Sequence, residues 1–331
     1  MRDNPELRGV PIAIGGRPEQ RGVVATCNYE ARAHGIHSAM PMSQAIRSCP
    51  DLIVVPTNMA KYKAESAKVQ SVFHDYTDLV EPLSLDEAFL DVSECQTAQG
   101  SATLIAQEIR QRVKDEVGIT ISAGIAPNKF LAKIASDWNK PDGQFTVTPA
   151  DVDSFISTLP VKKLFGVGSV TAARMSDMDI HTCSDLQALE LTELSRHFGK
   201  FGVRLFELCR GQDERAVKTN RVRKSLSAER TYAEDLPDLA TCLEALRKLV
   251  VELEERISRA ECRSQIDQRT IKVRFAGFET TTAASAGVLT TFDEYQTLLE
   301  TAWQRGAKPV RLLGVGVRLA AQHDENQLGL F

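Results

Sequence analysis

Two neighbouring carboxylates, Asp86 and Glu87, lie in the segment SLDEAFLDV (84–92), which otherwise looks suited to burial. Adjacent side chains of a regular strand point to opposite faces, whereas a tight turn lets both carboxylates point toward one place. Paired carboxylates at a turn indicate a cation, and oxygen ligands combined with substrate phosphates suit Mg²⁺. Two such ions can activate an attacking oxygen and stabilise a leaving one. An Asp-Glu pair alone is more often a solvated turn, so that alternative stays open at this point.

Cationic side chains elsewhere in the chain could bind a phosphate that carries such ions. Arg32 has a planar guanidinium that can bind two phosphate oxygens, and Lys140 supplies a point charge just before the turn KPDG (140–143). Each of them alone would be interpreted as a surface cation. Together with the carboxylates, they outline a site for a Mg²⁺-bound triphosphate.

Composition limits the class of protein. The chain has 331 residues, of which 43% are apolar and 25% charged, enough for a globular protein of two or more domains. Its seven cysteines include no C-x-x-C pair, so neither a disulfide framework nor a zinc site is supported. The sequence shows no signal-like apolar core and no run approaching the roughly 18 apolar residues of a spanning helix. We therefore expect a cytoplasmic protein without a membrane partner.

The net charge of −4 argues mildly against a general nucleic-acid-binding protein, but positive charge is concentrated locally. Between Arg215 and Arg230, six basic residues accompany one acidic residue, which gives this stretch a charge of +5. Such a run is usually a solvated linker. The alternative is a tether that lies along a phosphate backbone.

Strand and helix patterns divide the chain into four parts that would position these residues. The first part is predicted to hold two strands and a helix, at 10–15, 22–27 and 41–48. The second has the order β-β-α-β-α-β, at 78–83, 88–92, 101–117, 120–125, 128–137 and 144–148. The third part is helical. The fourth has the order β-α-β-β-α-β, at 227–232, 239–259, 270–278, 281–287, 292–305 and 310–319.

Several segments in this order resemble the Y-family DNA polymerases, most closely their bacterial DNA polymerase IV branch. The segments are CNYEAR (27–32), SLDEA (84–88), SAGIA (122–126), NKFLAKIAS (128–136) and NKP (139–141). The resemblance spans nearly the whole chain. It implies a DNA-directed DNA polymerase that carries out template-directed, low-fidelity translesion synthesis in DNA repair and damage tolerance.

The fold implied by the resemblance is α+β, a multidomain right-hand polymerase. Its parts would be fingers (1–56), a ferredoxin-like palm without its first strand (57–148) and a small helix-hairpin-helix thumb (149–212). A basic linker (213–225), a β-α-β-β-α-β little finger (226–320) and a flexible clamp-binding tail (321–331) would follow.

The resemblance also implies roles for single residues. Asp86 and Glu87 would hold two Mg²⁺ ions, and Glu87 would be the catalytic carboxylate beside the primer 3′ hydroxyl. The incoming nucleotide would be bound by Tyr29, Arg32 and Lys140.

Small residues in the first part have an implied role as well. Ala25, Ser38 and Ala39 would leave a loose pocket over the nascent base pair, as expected of enzymes that copy damaged template.

The expected DNA contacts lie in three places: the thumb hairpin, the basic linker and one strand of the little finger. Hairpin amides and a following helix N-terminus can bind a DNA phosphate, although Phe165 replaces the usual proline and an ordinary glycine turn is the alternative. In the strand, basic residues alternate with apolar ones, as in a strand with one buried face, so a plain amphipathic strand is equally compatible. The expected DNA-binding residues are Gly166, Gly168, Arg221, Arg223, Lys224, Lys272 and Arg274.

The chain ends in a segment that resembles the peptide by which bacterial polymerases dock on the sliding clamp. The clamp-binding residues would be Gln327, Leu328, Leu330 and Phe331, on a tail that folds only when bound. A tail packed on its own domain is the alternative. The expected partners are therefore primer-template DNA, deoxynucleoside triphosphates and the sliding clamp, with the protein itself a monomer.

Residues 1–8 resemble the end of the first fingers helix of relatives. The resemblance therefore predicts that the family's first palm strand, with another metal-binding aspartate and an aromatic residue that excludes ribonucleotides, is not part of this sequence. None of Asp3, Glu6 and Glu19 lies in a matching motif. One hypothesis is an ordinary translesion polymerase whose start was placed at an internal methionine. The other is a catalytically impaired protein that binds DNA and the clamp. We favour the first, because five substrate-facing residues would be idle in the second.

Overall fold

The computed structural model describes residues 1–220 and 222–320, which divide into two units. The first unit holds Met1, Asp3–Thr57 and the described part of Val222–Phe331, and the second holds Arg2 and the described part of Asn58–Arg221. The predicted fingers and little finger thus fall in the first unit, and the predicted palm and thumb in the second. In the described part of the chain, no helix is long and apolar enough to cross a membrane.

The N-terminal segment of the first unit contains a three-stranded sheet and two short helices. Its strands and helices are β1 (Ile12–Gly15), β2 (Val24–Cys27), α1 (Tyr29–Ala33), α2 (Met42–Ser48) and β3 (Ile53–Val55). The central strand β1 pairs antiparallel with β2 and parallel with β3. A small core of buried side chains that includes Ala13, Ala31 and Met42 holds the helices against the sheet.

The C-terminal segment of the first unit confirms the predicted order β-α-β-β-α-β. Its elements are β8 (Ser225–Leu236), α11 (Leu239–Ala260), β9 (Ile266–Phe275), β10 (Thr280–Ala286), α12 (Phe292–Gln304) and β11 (Val310–Leu319). The strands form one antiparallel sheet in the order β10-β9-β11-β8. Both helices bury their apolar faces in the same core as the sheet. The side chain of Arg21 donates to the carboxylate of Asp235, so the N-terminal segment of this unit contacts strand β8.

The second unit begins with elements in the order predicted for the palm, preceded by a helix that the sequence patterns did not predict. The elements are α3 (Met59–His74), β4 (Val80–Pro82), β5 (Ala88–Leu90), α4 (Ala102–Arg112), β6 (Ala123–Ile125), α5 (Lys129–Ser136) and β7 (Gln144–Thr146). The pair β4–β5 is the predicted antiparallel hairpin, and β6 pairs in parallel with β7. Helix α4 continues as a π-helix over Val113–Val117.

Helix α3 was missed because it lacks a strong apolar face. Val72 is its one buried residue, and the partly buried Val69 and Phe73 pack beside it against the core that contains Ile105 and Ile109 of α4. A helix with so narrow an apolar stripe leaves little periodic signal in the sequence.

The remainder of the second unit is helical, as predicted for the thumb. Its helices are α6 (Val152–Ser157), α7 (Ser169–Ser176), α8 (Cys183–Gln187), α9 (Leu191–Phe198) and α10 (Lys200–Leu208). Their core also contains Phe130, Leu131 and Ile134 of α5. One helix of the predicted palm is therefore also part of the thumb core.

The buried hydroxyl of Tyr295 gives a test of the little-finger core. It donates to the carbonyl oxygen of Gly316 at 2.8 Å, and Tyr295 is fully buried. We expect Tyr295→Phe to lower the free energy of unfolding by about 1–2 kcal/mol, because a buried carbonyl loses a donor. Denaturant titration, followed by the fluorescence of Trp303 in a Trp138→Phe background, measures the change.

Tyr232→Phe is the matched control for this prediction. Tyr232 packs against the same core, and its hydroxyl has no hydrogen-bond partner within residues 1–220 and 222–320. We expect the control to change the free energy by less than about 0.5 kcal/mol. Equal losses in both variants would contradict the role given to the Tyr295 hydrogen bond.

Candidate active site

Asp86 and Glu87 lie on the turn between β4 and β5, as predicted. The backbone amides of Leu83 and Ser84 donate to the carbonyl oxygen of Glu87 at 2.9 and 3.3 Å, which closes the turn. The hydroxyl of Ser84 donates to Oδ1 of Asp86 at 2.6 Å. Both carboxylates are exposed to solvent, so a ligand can reach them.

A lysine that was not predicted as a site residue offsets one of the two negative charges of this turn. Nζ of Lys133 donates to Oε1 of Glu87 at 2.6 Å. Lys133 is carried by α5, which packs very closely on β6, because a Cβ atom at Gly124 would lie 2.0 Å from the carbonyl oxygen of Ala132. The available sequence signal was the pair Lys129 and Lys133, four residues apart on an otherwise apolar helix.

Lys140 lies in the same unit, in the loop between α5 and β7. Its Nζ pairs with Oδ1 of Asp137 at 2.6 Å. The neighbouring Trp138 packs its ring against Phe145 and Phe155, with centroids 5.6 and 5.0 Å apart. Three aromatic rings therefore support the loop that carries the predicted phosphate-binding lysine.

Tyr29 and Arg32 belong to the first unit, where α1 presents them together. The side-chain oxygen of Asn28 caps this helix by accepting from the amide of Ala31 at 3.1 Å, and its nitrogen donates to the carbonyl of Val10 at 2.7 Å. The guanidinium of Arg32 lies 5.9 Å from the ring centroid of Tyr29, within cation–π range, and Tyr29 is 53% exposed. The two side chains can thus act on one ligand.

The small residues predicted to form a loose pocket lie near one another in the first unit. Ala25, Ser38 and Ala39 are all exposed. The amide of Ala39 donates to the carbonyl of Val24 at 2.8 Å, which places the segment of Ser38 beside β2.

The glycine hairpin of the thumb has the predicted form. Gly166 has a φ of 92°, a conformation that favours glycine, and a Cβ atom there would lie 2.9 Å from the ring of Phe201. Helix α7 begins at Ser169, directly after Gly168. Phe165 is 63% exposed at the hairpin, so its replacement of proline leaves an apolar ring in solvent.

The predicted basic surfaces carry less free charge than the sequence suggests. Arg215 is paired with the buried Asp213 at 2.7 Å, and Arg230 approaches Glu252 at 3.5 Å. These ion pairs reduce the excess of positive charge that was counted from the sequence between Arg215 and Arg230. Arg223 and Lys224 are exposed, whereas Arg221 lies outside the described residues.

Strand β9 shows the predicted alternation, with Ile271, Val273 and Phe275 buried. On the other face, Lys272 donates to Glu229 at 2.9 Å and Arg274 donates to the hydroxyl of Thr280 at 3.1 Å. This face therefore presents basic side chains among polar partners. The predicted clamp-binding residues Gln327, Leu328, Leu330 and Phe331 lie outside the described residues.

The acidic groups at the β4–β5 turn are few. Within residues 1–220 and 222–320, no group of three or more His, Cys, Asp or Glu side chains could hold a metal ion together. The donors that this turn offers are the two carboxylates of Asp86 and Glu87, and the ammonium of Lys133 is the counterion of Glu87.

Comparisons with known families match most of the chain. Residues 1–137 match the impB/mucB/samB family, residues 162–213 match the thumb domain of DNA polymerase-iota, and residues 223–330 match the C-terminal domain of the impB/mucB/samB family.

Among solved structures, a Y-family DNA polymerase chimera of Dbh and Dpo4 is 27% identical, with a TM-score of 0.86 over 95% of this chain and 93% of that one. A structure described as an insertion ternary complex of Dbh DNA polymerase is also 27% identical, with a TM-score of 0.65 over 96% of this chain and 94% of that one.

Curated relatives agree with the structural neighbours. DNA polymerase IV of Ralstonia nicotianae is 53% identical over 96% of this chain and 89% of the relative. DNA polymerase IV of Ectopseudomonas mendocina is 52% identical over 100% of this chain and 94% of the relative. The chain therefore belongs to the DNA polymerase IV branch of the Y-family and is a DNA-directed DNA polymerase.

Proposed function

We propose that the protein carries out low-fidelity translesion DNA synthesis, in which a primer 3′ hydroxyl attacks a deoxynucleoside triphosphate opposite a template base. The observation that carries this proposal is the carboxylate pair of Asp86 and Glu87 on one exposed turn. One structural neighbour is described as an insertion ternary complex of a DNA polymerase, which supports primer-template DNA and a nucleotide as substrates. The exposed small residues Ala25, Ser38 and Ala39 are consistent with a pocket that tolerates damaged bases.

Two Mg²⁺ ions fit the chemistry of the donors at this turn. Carboxylate oxygens are hard ligands, and the ammonium of Lys133, 2.6 Å from Oε1 of Glu87, indicates that the turn accommodates a positive charge. Asp86 and Glu87 would hold the ions. When bound, the ions would stabilise negative charge on the attacking and leaving oxygens.

Other side chains would bind and orient the substrates. The planar fork of Arg32, with Tyr29 beside it, and the ammonium of Lys140 suit the oxygens of a triphosphate. The amides near Gly166 and Gly168 suit a DNA phosphate. The basic residues Arg221, Arg223, Lys224, Lys272 and Arg274 would bind the DNA backbone.

Replacement of either carboxylate tests the catalytic role. We expect Asp86→Asn or Glu87→Gln to abolish measurable primer extension, a loss of more than about a hundredfold, because each removes a negative ligand. Primer-template affinity should stay within about twofold, since neither residue lies among the proposed DNA contacts. Gel extension with Mg²⁺ and filter binding measure the two quantities.

The exposed Glu94 offers a matched control, since Glu94→Gln also removes one carboxylate from this region. Full activity of the Asp86 and Glu87 variants would contradict the two-metal proposal. Primer extension by the unaltered chain would count against the alternative of a catalytically impaired DNA- and clamp-binding protein.

The ion pair of Lys133 with Glu87 predicts competition between the lysine and the metal. We expect Lys133→Met to lower the Mg²⁺ concentration for half-maximal extension by about twofold to fivefold, which matches the energy of a partly exposed ion pair. Extension rates across a Mg²⁺ titration measure the change, with Lys63→Met on the surface of α3 as control. A higher Mg²⁺ requirement in Lys133→Met would show that the lysine assists metal binding.

The proposed clamp contact predicts a separable effect of the chain's last residues. We expect deletion of residues 327–331 to leave extension on bare primer-template unchanged and to remove stimulation by a loaded sliding clamp, because three apolar side chains and an amide are lost together. Extension assays with and without clamp measure both. A truncated enzyme that responds fully to the clamp would place the docking site elsewhere.

A further inference from the structure

The first residues of the predicted basic linker lie against the N-terminal end of α5. The side-chain nitrogen of Asn128 donates to the carbonyl of Gly211 at 2.7 Å. The carboxylate of Asp213 accepts from the backbone amide of Phe130 at 3.1 Å. The last residues of the predicted thumb and the first residue of the linker are thus bonded to the same helix end.

Asp213 is the centre of a buried charge cluster. Its side chain is fully buried and pairs with Arg204 at 2.8 Å and with Arg215 at 2.7 Å. Burial raises the pKa of this carboxyl, but the two guanidinium groups outweigh burial and lower the pKa to about 2. Asp213 is therefore ionised and bonded on several sides, unlike a residue of a solvated linker.

A second polar cluster attaches the residues that follow. Nζ of Lys129 donates to Oε2 of Glu81 at 2.5 Å and to the carbonyl of Ala216 at 2.9 Å. The same oxygen of Glu81 accepts from the backbone amide of Lys218 at 2.8 Å. The Lys129 side chain is only 9% exposed, and its ammonium lies 5.3 Å from the ring centroid of Phe89.

We propose that Glu81 and Asp213 are positioning residues that fasten the first half of the linker to the palm, so that the tether to the little finger begins after Lys218. Glu81 accepts from the linker amide of Lys218, and Asp213, itself a linker residue, accepts from the amide of Phe130. Neither belongs to the catalytic turn. Fastening shortens the length of free chain that connects the palm and thumb with the little finger.

The other end of the tether is also defined. The carbonyl of Lys224 accepts from the amide of Leu319 at 2.9 Å, so the little-finger sheet region includes Lys224. From Lys218 to Lys224 an extended chain spans at most roughly 20 Å, whereas from Asp213 it would span roughly 40 Å. Effective concentration falls with about the −3/2 power of tether length, so fastening raises the contribution of this one connection at most about 2.5-fold.

Hydrogen exchange of the 331-residue chain tests the fastening directly. We expect Glu81→Ala to accelerate exchange of the Lys218 amide about tenfold, because that amide loses an ionised acceptor. Glu81→Gln keeps an oxygen acceptor and should give a smaller acceleration. Asp213→Asn tests the other cluster, through exchange of the Phe130 amide. Glu214→Gln, an exposed neighbour in the linker, is the matched control and should leave both amides unchanged.

The amide of Ser84, on the catalytic turn, serves as an internal reference for these variants. Acceleration at Lys218 with Ser84 unchanged supports the proposal. Unchanged exchange at Lys218 in Glu81→Ala overturns it. Equal acceleration at both amides also overturns it, because Glu81 would then support the whole hairpin rather than the linker.

Primer-template affinity tests whether fastening shortens the tether. This second test rests on the proposed function, because it requires that the chain binds DNA. We expect Glu81→Ala to weaken DNA affinity by about 1.5-fold to 2.5-fold, the smaller value applying where the bond of Lys129 to the carbonyl of Ala216 persists. Fluorescence anisotropy measures the affinity, and kcat at saturating DNA should stay within about twofold of the unaltered enzyme. Faster exchange with unchanged affinity overturns the tether-length proposal. Failure of the unaltered chain to bind DNA would instead count against the proposed function, which the exchange measurement does not require.

Discussion

The negative charge that two neighbouring carboxylates place on one short turn is the constraint that the packing of helix α5 on the β4–β5 hairpin answers. Asp86 and Glu87 cannot share a turn without a nearby positive charge or abundant water. Helix α5 supplies the charge as Lys133. The helix can do so because Gly124 allows its backbone to approach β6. A single glycine in the neighbouring strand thus decides whether the lysine reaches the acidic turn.

Helix α5 serves three parts of the molecule with three different surfaces. Its apolar side chains, among them Phe130 and Leu131, join the thumb core. Its lysines pair with Glu87 and Glu81, and its first turn bonds the linker at Asp213. Removing one partner of a buried ion pair typically costs about 3–5 kcal/mol. Substitutions in this helix therefore disturb the thumb core, the β4–β5 hairpin and the linker together.

Local sequence patterns were sufficient for the elements with clear periodicity. The β4–β5 hairpin and the alternation in β9 were predicted correctly, and strand β11 has the predicted bounds. Helix α3 was missed, since its burial is confined to a narrow stripe. The pair of Lys133 with Glu87 joins residues 46 positions apart, and Asp213 bonds an amide 83 positions away. No local pattern encodes such contacts, and the polar residues around Asp213 look like an ordinary solvated linker.

The discontinuous first unit has a consequence for biosynthesis. Asp3–Thr57 emerges from the ribosome before Asn58–Arg221, and its partner strand β8 follows only after the whole of that segment. At translation rates of about 5–20 residues per second, this delay lasts roughly 10 to 30 seconds. During that interval, Arg21 has no Asp235 to bind, and the small three-stranded sheet must persist on its own core. The second unit, although later in the chain, can therefore complete its fold first, while the leading segment remains exposed to chaperones and proteases.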